Sequence, residues 1–159
     1  MAGLISTQNY GRRGQIVNPM WSLKKTSSQT NFPTASQVDI EWQTTKFLQG
    51  GCQQPNATNI VVPLAGIYDV YLQLHVTHLT SDGNYIDLRF IIGSSTYLQS
   101  FRSEHHQQGV GDTIQSHIML KLAAGDSIKG AVYIDGGTAN TDISGGDSGS
   151  YFSGRYLGH

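Results

Sequence analysis

From Ile67 to His78 the chain reads IYDVYLQLHVTH. Tyr68, Val70, Leu72, Leu74 and Val76 fall on one parity, and Asp69, Tyr71, Gln73, His75 and Thr77 on the other. Strict alternation of this kind predicts a strand with one apolar face. The pattern recurs. YIDLRFII sends Ile86, Leu88, Phe90 and Ile92 one way. TIQSHIMLKL does so with Ile114, Ile118, Leu120 and Leu122, with Ser116 among them, and SIKGAVYI with Ile128, Val132 and Ile134. No stretch of similar length carries a helical stripe with caps. Turn residues separate the runs at Pro63 and Gly66, Asp82-Gly83, Gly93-Ser94, Gly125-Asp126 and Gly136-Gly137. Short strands at this spacing predict an all-β sandwich or barrel.

Several segments carry a family resemblance. VPLAGIYDVYLQLHV resembles the V-P-x-x-G-x-Y strand signature of the globular head of complement's first component, the complement/tumour-necrosis-factor jelly roll. IMLKLAAGDSIKGAVY is similar to that family's L-x-L-x-x-G-D hairpin, and SYFSGRYLGH to its closing F-S-G strand. SSQTNFPTASQVDIEWQTTKFLQGG is similar to its opening segment, with a tryptophan-bearing strand, a Phe and a double Gly. The resemblance spans roughly residues 21–159, and the part from Trp21 to Gly51 is most like bacteriophage versions. It implies an antiparallel jelly-roll β-sandwich that assembles as a homotrimer.

Local chemistry fits that fold. Pro63 follows the NIVV strand, where a missing N–H costs least. Gly66 is expected to take a φ that other residues avoid. Gly125-Asp126 reads as a hairpin turn between two alternating strands. In the last strand Phe152 and Tyr156 share a parity directed at the core, and Gly154 between them permits close packing.

The second face of the long strand carries the interaction signal. Tyr71 on it is a large side chain to leave in water. In the resembled family this sheet packs around a threefold axis. By that resemblance Tyr71, Gln73, His75, Arg155 and Leu157 face neighbouring subunits. Burying a side chain such as Tyr71 or Leu157 contributes roughly 1.5–3 kcal/mol per copy.

Composition narrows the alternatives. The 159 residues suit one domain with a sizeable core. Only 13% of residues are charged and the net charge is −1, so no basic face for nucleic acid is available. No apolar run approaches the roughly 20 residues that cross a bilayer. MAGLISTQNYGRRGQ lacks an apolar core of signal-peptide length, and the single Cys52 cannot form an internal disulfide. The expectation is folding in a host cytoplasm.

The tetrapeptide Gly146-Asp147-Ser148-Gly149 surrounds the nucleophile in trypsin-like proteases. Such a site also needs an oriented His and an oxyanion hole, and a double-barrel protease needs far more chain. DGGTANTDISGGDSGS is read instead as an exposed tip, and the protein as no enzyme. Asp135, Asp142 and Asp147 could hold Ca²⁺ through oxygen ligands, and some family members carry calcium. There is no EF-hand spacing, however, and Asp is an ordinary turn former, so no cofactor is assigned. His75 and His78 lie three apart, on opposite faces of a strand. His105 and His106 sit in a polar loop. His117 is on the polar parity of its strand, where an interface role is open. Asn56-Ala57-Thr58 matches a glycosylation sequon by pattern alone.

The organisation expected is an N-terminal arm, residues 1–20, and a jelly-roll head, residues 21–159. The arm has no core strand, but Leu4, Ile5, Tyr10, Ile16 and Val17 suit docking to a partner; the other reading is a disordered terminus or an arm folded onto its own trimer. The reading is a virion structural protein: a homotrimeric knob, fibre head or decoration protein, anchored by its arm to other virion proteins. One alternative is a tail-fibre head that binds a host receptor or surface glycan. Another is a secreted complement/TNF-like binding module.

Overall fold

The computed structural model describes residues 17–33, 35–77, 85–99, 111–135, 141–146 and 149–159. Among these there are twelve strands and no α-helix. They are β1 (Met20–Lys24), β2 (Gln29–Phe32), β3 (Ser36–Asp39), β4 (Thr44–Gln49), β5 (Asn59–Val61) and β6 (Gly66–Thr77). Then follow β7 (Tyr85–Ile92), β8 (Ser95–Gln99), β9 (Asp112–Leu122), β10 (Ser127–Asp135), β11 (Thr141–Ile143) and β12 (Tyr151–Gly158).

The strands form two antiparallel sheets. The first runs β2-β11-β6-β12-β1-β4, with β9 on the opposite edge of β6. The second runs β3-β10-β7-β8, with β5 also on β10. The alternation of β6 is realised along its length. Tyr68, Val70, Leu72, Leu74 and Val76 are all buried. They meet Ile86, Leu88 and Phe90 of β7 and Ile128, Val132 and Ile134 of β10 in one core cluster. Burial of two alternating faces against each other makes a sandwich of this sequence.

One end of the core is aromatic. Trp21 packs against Tyr68 and Phe152, with ring centroids 6.1 and 5.8 Å apart, and Trp42 stacks on Phe152 at 5.9 Å. Gly154 makes this possible. A Cβ there would lie 2.3 Å from the Trp21 ring. Gly66 has φ +151°, and a Cβ there would lie 2.4 Å from the Gly158 carbonyl oxygen. Phe152 is fully buried, and Tyr156 packs against the core through an edge contact with Tyr68.

Two local expectations are corrected. Gly125-Asp126 does turn the chain: Gly125 has φ +89°, and Asp126 N–H donates to the Ala123 carbonyl at 3.1 Å. The flanking strands do not pair, however. β9 pairs with β6 in the first sheet, and β10 pairs with β7, β3 and β5 in the second. The connection is an arch between sheets, not a hairpin. The segment 135–150 is not simply an exposed tip either. Thr141–Ile143 is a strand between β2 and β6, and Ile143 is fully buried. Ser150 is buried as well: its Oγ accepts from His75 N–H at 3.0 Å and donates to the Ser144 carbonyl at 3.1 Å. Two side-by-side strands thus use this serine as a structural link. Ser148 and Asp147 lie outside the described residues.

A charged side chain is also enclosed. Lys25 follows β1 and is fully buried. Its Nζ donates to Gln29 Oε1 and to the Glu41 carbonyl, both at 3.0 Å. Gln29 in turn donates to the Asp39 carbonyl and accepts from Glu41 N–H. Burial pushes the Lys25 ammonium down to about 8, opposed by the charge of Glu41. Cys52 is buried and free, and burial pushes its thiol up to about 12. That removes the thiolate on which cysteine reactivity depends.

A candidate interaction face on the first sheet

The residues of β6 that do not enter the core are Ile67, Asp69, Tyr71, Gln73, His75 and Thr77. Their neighbours are fixed by register. Across to β9, Ile67 faces Lys121, Asp69 faces Met119, Tyr71 faces His117, Gln73 faces Gln115 and His75 faces Thr113. Across to β12, Gln73 faces Tyr151, Tyr71 faces Ser153 and Asp69 faces Arg155. The pairing slips between Tyr156 and Gly158, which places Leu157 in a bulge beside Ile67. Of the five residues expected to meet neighbouring subunits, Tyr71, Gln73, His75, Arg155 and Leu157, all lie on this face. Leu157 is at its far end.

The polar groups on the face bind one another. Asp69 is ion-paired with Arg155, whose Nη2 and Nε lie 2.9 and 3.0 Å from Oδ2, and its Oδ1 is paired with His117 Nε2. The hydrogen bond from His117 holds the Asp69 carboxyl below its usual value, against the effect of burial, and Arg155 adds to it. Tyr71 Oη lies 2.5 Å from Gln73 Oε1 and 2.7 Å from Gln115 Oε1. A phenol donates only one hydrogen. Gln73 is held by its own donation to the Gly149 carbonyl at 2.6 Å, so Tyr71 donates to Gln73. Gln115 must then turn its amide N–H toward the phenol oxygen. Burial raises the Tyr71 hydroxyl above its usual value. His75 Nδ1 pairs with Thr113 Oγ1 at 3.1 Å.

The other end of the face is open and mixes apolar side chains with Lys121, which stands opposite Ile67. Ile67, Met119 and Leu157 are 38%, 67% and 49% exposed. They are three of the five large hydrophobic residues that stand exposed among the described ones. The face is therefore a largely self-satisfied polar and aromatic field with exposed apolar residues and Lys121 at one end. Burying it would leave few polar groups without partners, which is the condition a protein contact needs. The alternation of β6 and β12 pointed to the face. The roles of Asp69 and Met119 were missed, because a lone carboxylate and a lone Met on a polar parity give no signal until the register is known.

Asp142 in β11 accepts from Asn31 N–H at 3.0 Å, Asp135 ends β10, and Asp147 is outside the described residues. Among the described residues, no three His, Cys, Asp or Glu side chains converge on a point that could hold a metal. Val17 is half-buried ahead of β1, whereas Leu4, Ile5, Tyr10 and Ile16 are outside the described residues, as are His78, His105 and His106.

Comparison with known proteins gives the fold. No protein-family model matches the chain, and no curated protein matches it. Solved structures do. The chain is similar to murine APRIL, solved at pH 8.5, with a TM-score of 0.62 and 17% identity over 89% of this chain and 100% of that one. It is similar to the globular domain of zebrafish complement 1qA protein, with a TM-score of 0.61 and 13% identity over 87% of this chain and 97% of that one. The protein has the jelly-roll fold of the TNF and complement globular domains. At these identities the likeness is one of fold.

Proposed function

We propose that the protein is a non-enzymatic, homotrimeric jelly-roll head that acts by binding. The observation that carries this reading is the face built by β6, β9 and β12. Its polar side chains are already paired with one another, and large side chains stand beside them. Such a surface loses little by leaving water and gains the burial of Tyr71, Met119 and their neighbours. A closed threefold contact uses that gain in each of three copies.

For the setting we propose a virion structural protein, a knob, fibre head or decoration protein, attached through the arm of residues 1–20. The similarity of the segment Trp21–Gly51 to bacteriophage versions supports it. A secreted complement- or TNF-like binding module is the second reading, favoured by the fold likeness to murine APRIL and to the zebrafish complement domain. Both readings share the trimer and differ in partner. Deleting residues 2–17 tests the first. The truncated protein is expected to remain a folded trimer and to be lost from purified particles. Incorporation at the normal level overturns attachment by the arm.

A further inference from the structure

Two histidines, His75 in β6 and His117 in β9, lie on the outward side of the first sheet, on adjacent strands. The His117 side chain is 60% exposed, and its Nε2 is paired with Asp69 Oδ1. That carboxylate is already engaged, because Arg155 holds Oδ2 through Nη2 and Nε at 2.9 and 3.0 Å. One negative charge therefore answers two basic groups, and the cluster balances only while His117 is neutral. His75 is half-buried, and its Nδ1 lies 3.1 Å from the Thr113 hydroxyl, which has no charge to offset a second ring proton. Its Nε2 faces backbone: a Cβ on Gly111 would lie 2.7 Å from it.

The other charged groups on this side come from each strand around the two histidines. β11 brings Asp142 opposite Thr77, β12 brings Arg155 opposite Asp69, β9 brings Lys121 opposite Ile67, and β1 brings Lys24 opposite Tyr151. Lys24, Lys121 and Arg155 stand against Asp69 and Asp142, an excess of one positive charge per copy. The phenols of Tyr71 and Tyr151 carry no charge below pH 8. Asp69, held below its usual value by His117 and Arg155, keeps its charge as the pH falls. Histidine is the side chain that gains charge between about pH 8 and pH 5. Charging His75 and His117 raises the excess from one to three per copy.

We infer that this face is an acid-sensitive latch, which holds neighbouring subunits near neutral pH and releases them when His75 and His117 take up protons. The inference rests on the homotrimer proposed above and adds its regulation. A closed threefold contact brings three such faces together and removes them from water, which disfavours charged imidazoles and sets like charges against one another. The separated subunits then bind more protons than the trimer, so falling pH shifts the equilibrium toward them. Neither histidine belongs to the hydrophobic core, so the subunit keeps its fold while the assembly opens.

Sedimentation over a dilution series between about pH 7.5 and pH 5 measures this, with far-UV circular dichroism on the same samples. The concentration needed to hold the trimer is expected to rise at least about tenfold across that range, with the β spectrum unchanged. In His75→Gln/His117→Gln the same ratio should fall below about threefold, whatever that variant's own value near pH 7.5. His75→Gln and His117→Gln made singly should each lose part of the response, which decides the matter if the double variant does not assemble. A trimer equally stable at both ends of the range overturns the inference and leaves the trimer standing. A response that survives in the double variant, or in both single variants undiminished, overturns the assignment to these histidines. Loss of the β spectrum in acid overturns it too, because the fold then fails before the contact. A monomer at every pH removes the trimer and the latch together, a result distinct from the others.

Discussion

Stability should respond to alkaline pH through two buried groups acting in opposite directions. Lys25 has its ammonium lowered from 10.5 to about 8. Between those values the native state has released a proton that the unfolded chain still holds. The unfolded state binds more protons, so stability rises with pH by up to about 1.4 kcal/mol per unit, on the order of 3 kcal/mol across the window. Cys52 has its thiol raised from 9.0 to about 12. Above pH 9 the unfolded thiol ionises and the native one does not, so stability falls at a similar rate. Tyr68, raised from 10.0 to about 12 by burial, adds a second fall above pH 10. The unmodified protein should therefore gain about 1 kcal/mol between pH 8 and 9. It should stay level to about pH 10 as the two slopes cancel, and lose stability beyond. Cys52→Ala should keep rising to about pH 10. Lys25→Met should show no rise and begin to fall near pH 9. Urea unfolding at fixed protein concentration, followed by the fluorescence of buried Trp21 and Trp42, measures each profile. Parallel profiles for the unmodified protein and Lys25→Met between pH 8 and 10 would refute the assignment of the rise to Lys25.

Gly154→Ala should destabilise the fold by about 3 kcal/mol, since its Cβ would lie 2.3 Å from a fully buried Trp21 ring; urea unfolding checks this. Leu72→Asp puts an unpaired charge in the core and should abolish folding, seen as loss of the β signal in far-UV circular dichroism. Tyr71→Glu should leave the circular dichroism spectrum unchanged and raise the concentration needed to hold the trimer at least tenfold, read by sedimentation. Asp69→Asn should likewise weaken the trimer while changing the stability of an isolated subunit by less than about 1 kcal/mol, because Arg155 and His117 are largely exposed.

Much of the core was legible because β6 alternates strictly and β7, β9 and β10 alternate over most of their length, and alternation is what a two-faced strand requires. The short strands were not. QTNF, SQVD and TTKFLQ carry few apolar positions and stay largely exposed, and their pairing comes from neighbours far away in sequence. The arch at Gly125-Asp126 shows a different limit. The residues of a turn favour reversal, but they do not say whether the flanking strands pair with each other or part into two sheets. Lys25 illustrates a third: a lysine between polar residues reads as solvated, and only Gln29 and the Glu41 carbonyl, brought in by the fold, make its burial tolerable. On the outer face of the first sheet, the placement of Tyr71, Gln73 and His75 was legible by parity, whereas the pairing of Asp69 with His117 and Arg155 depends on three strands meeting in register.

The β6–β9–β12 face is proposed as a contact between copies of this chain. Size-exclusion chromatography coupled to light scattering at micromolar concentration tests it most directly. The expected mass is three times the 17.3 kDa of one chain, and Tyr71→Glu should shift it toward one. A mass of 17.3 kDa for the unmodified protein would rule out the contact.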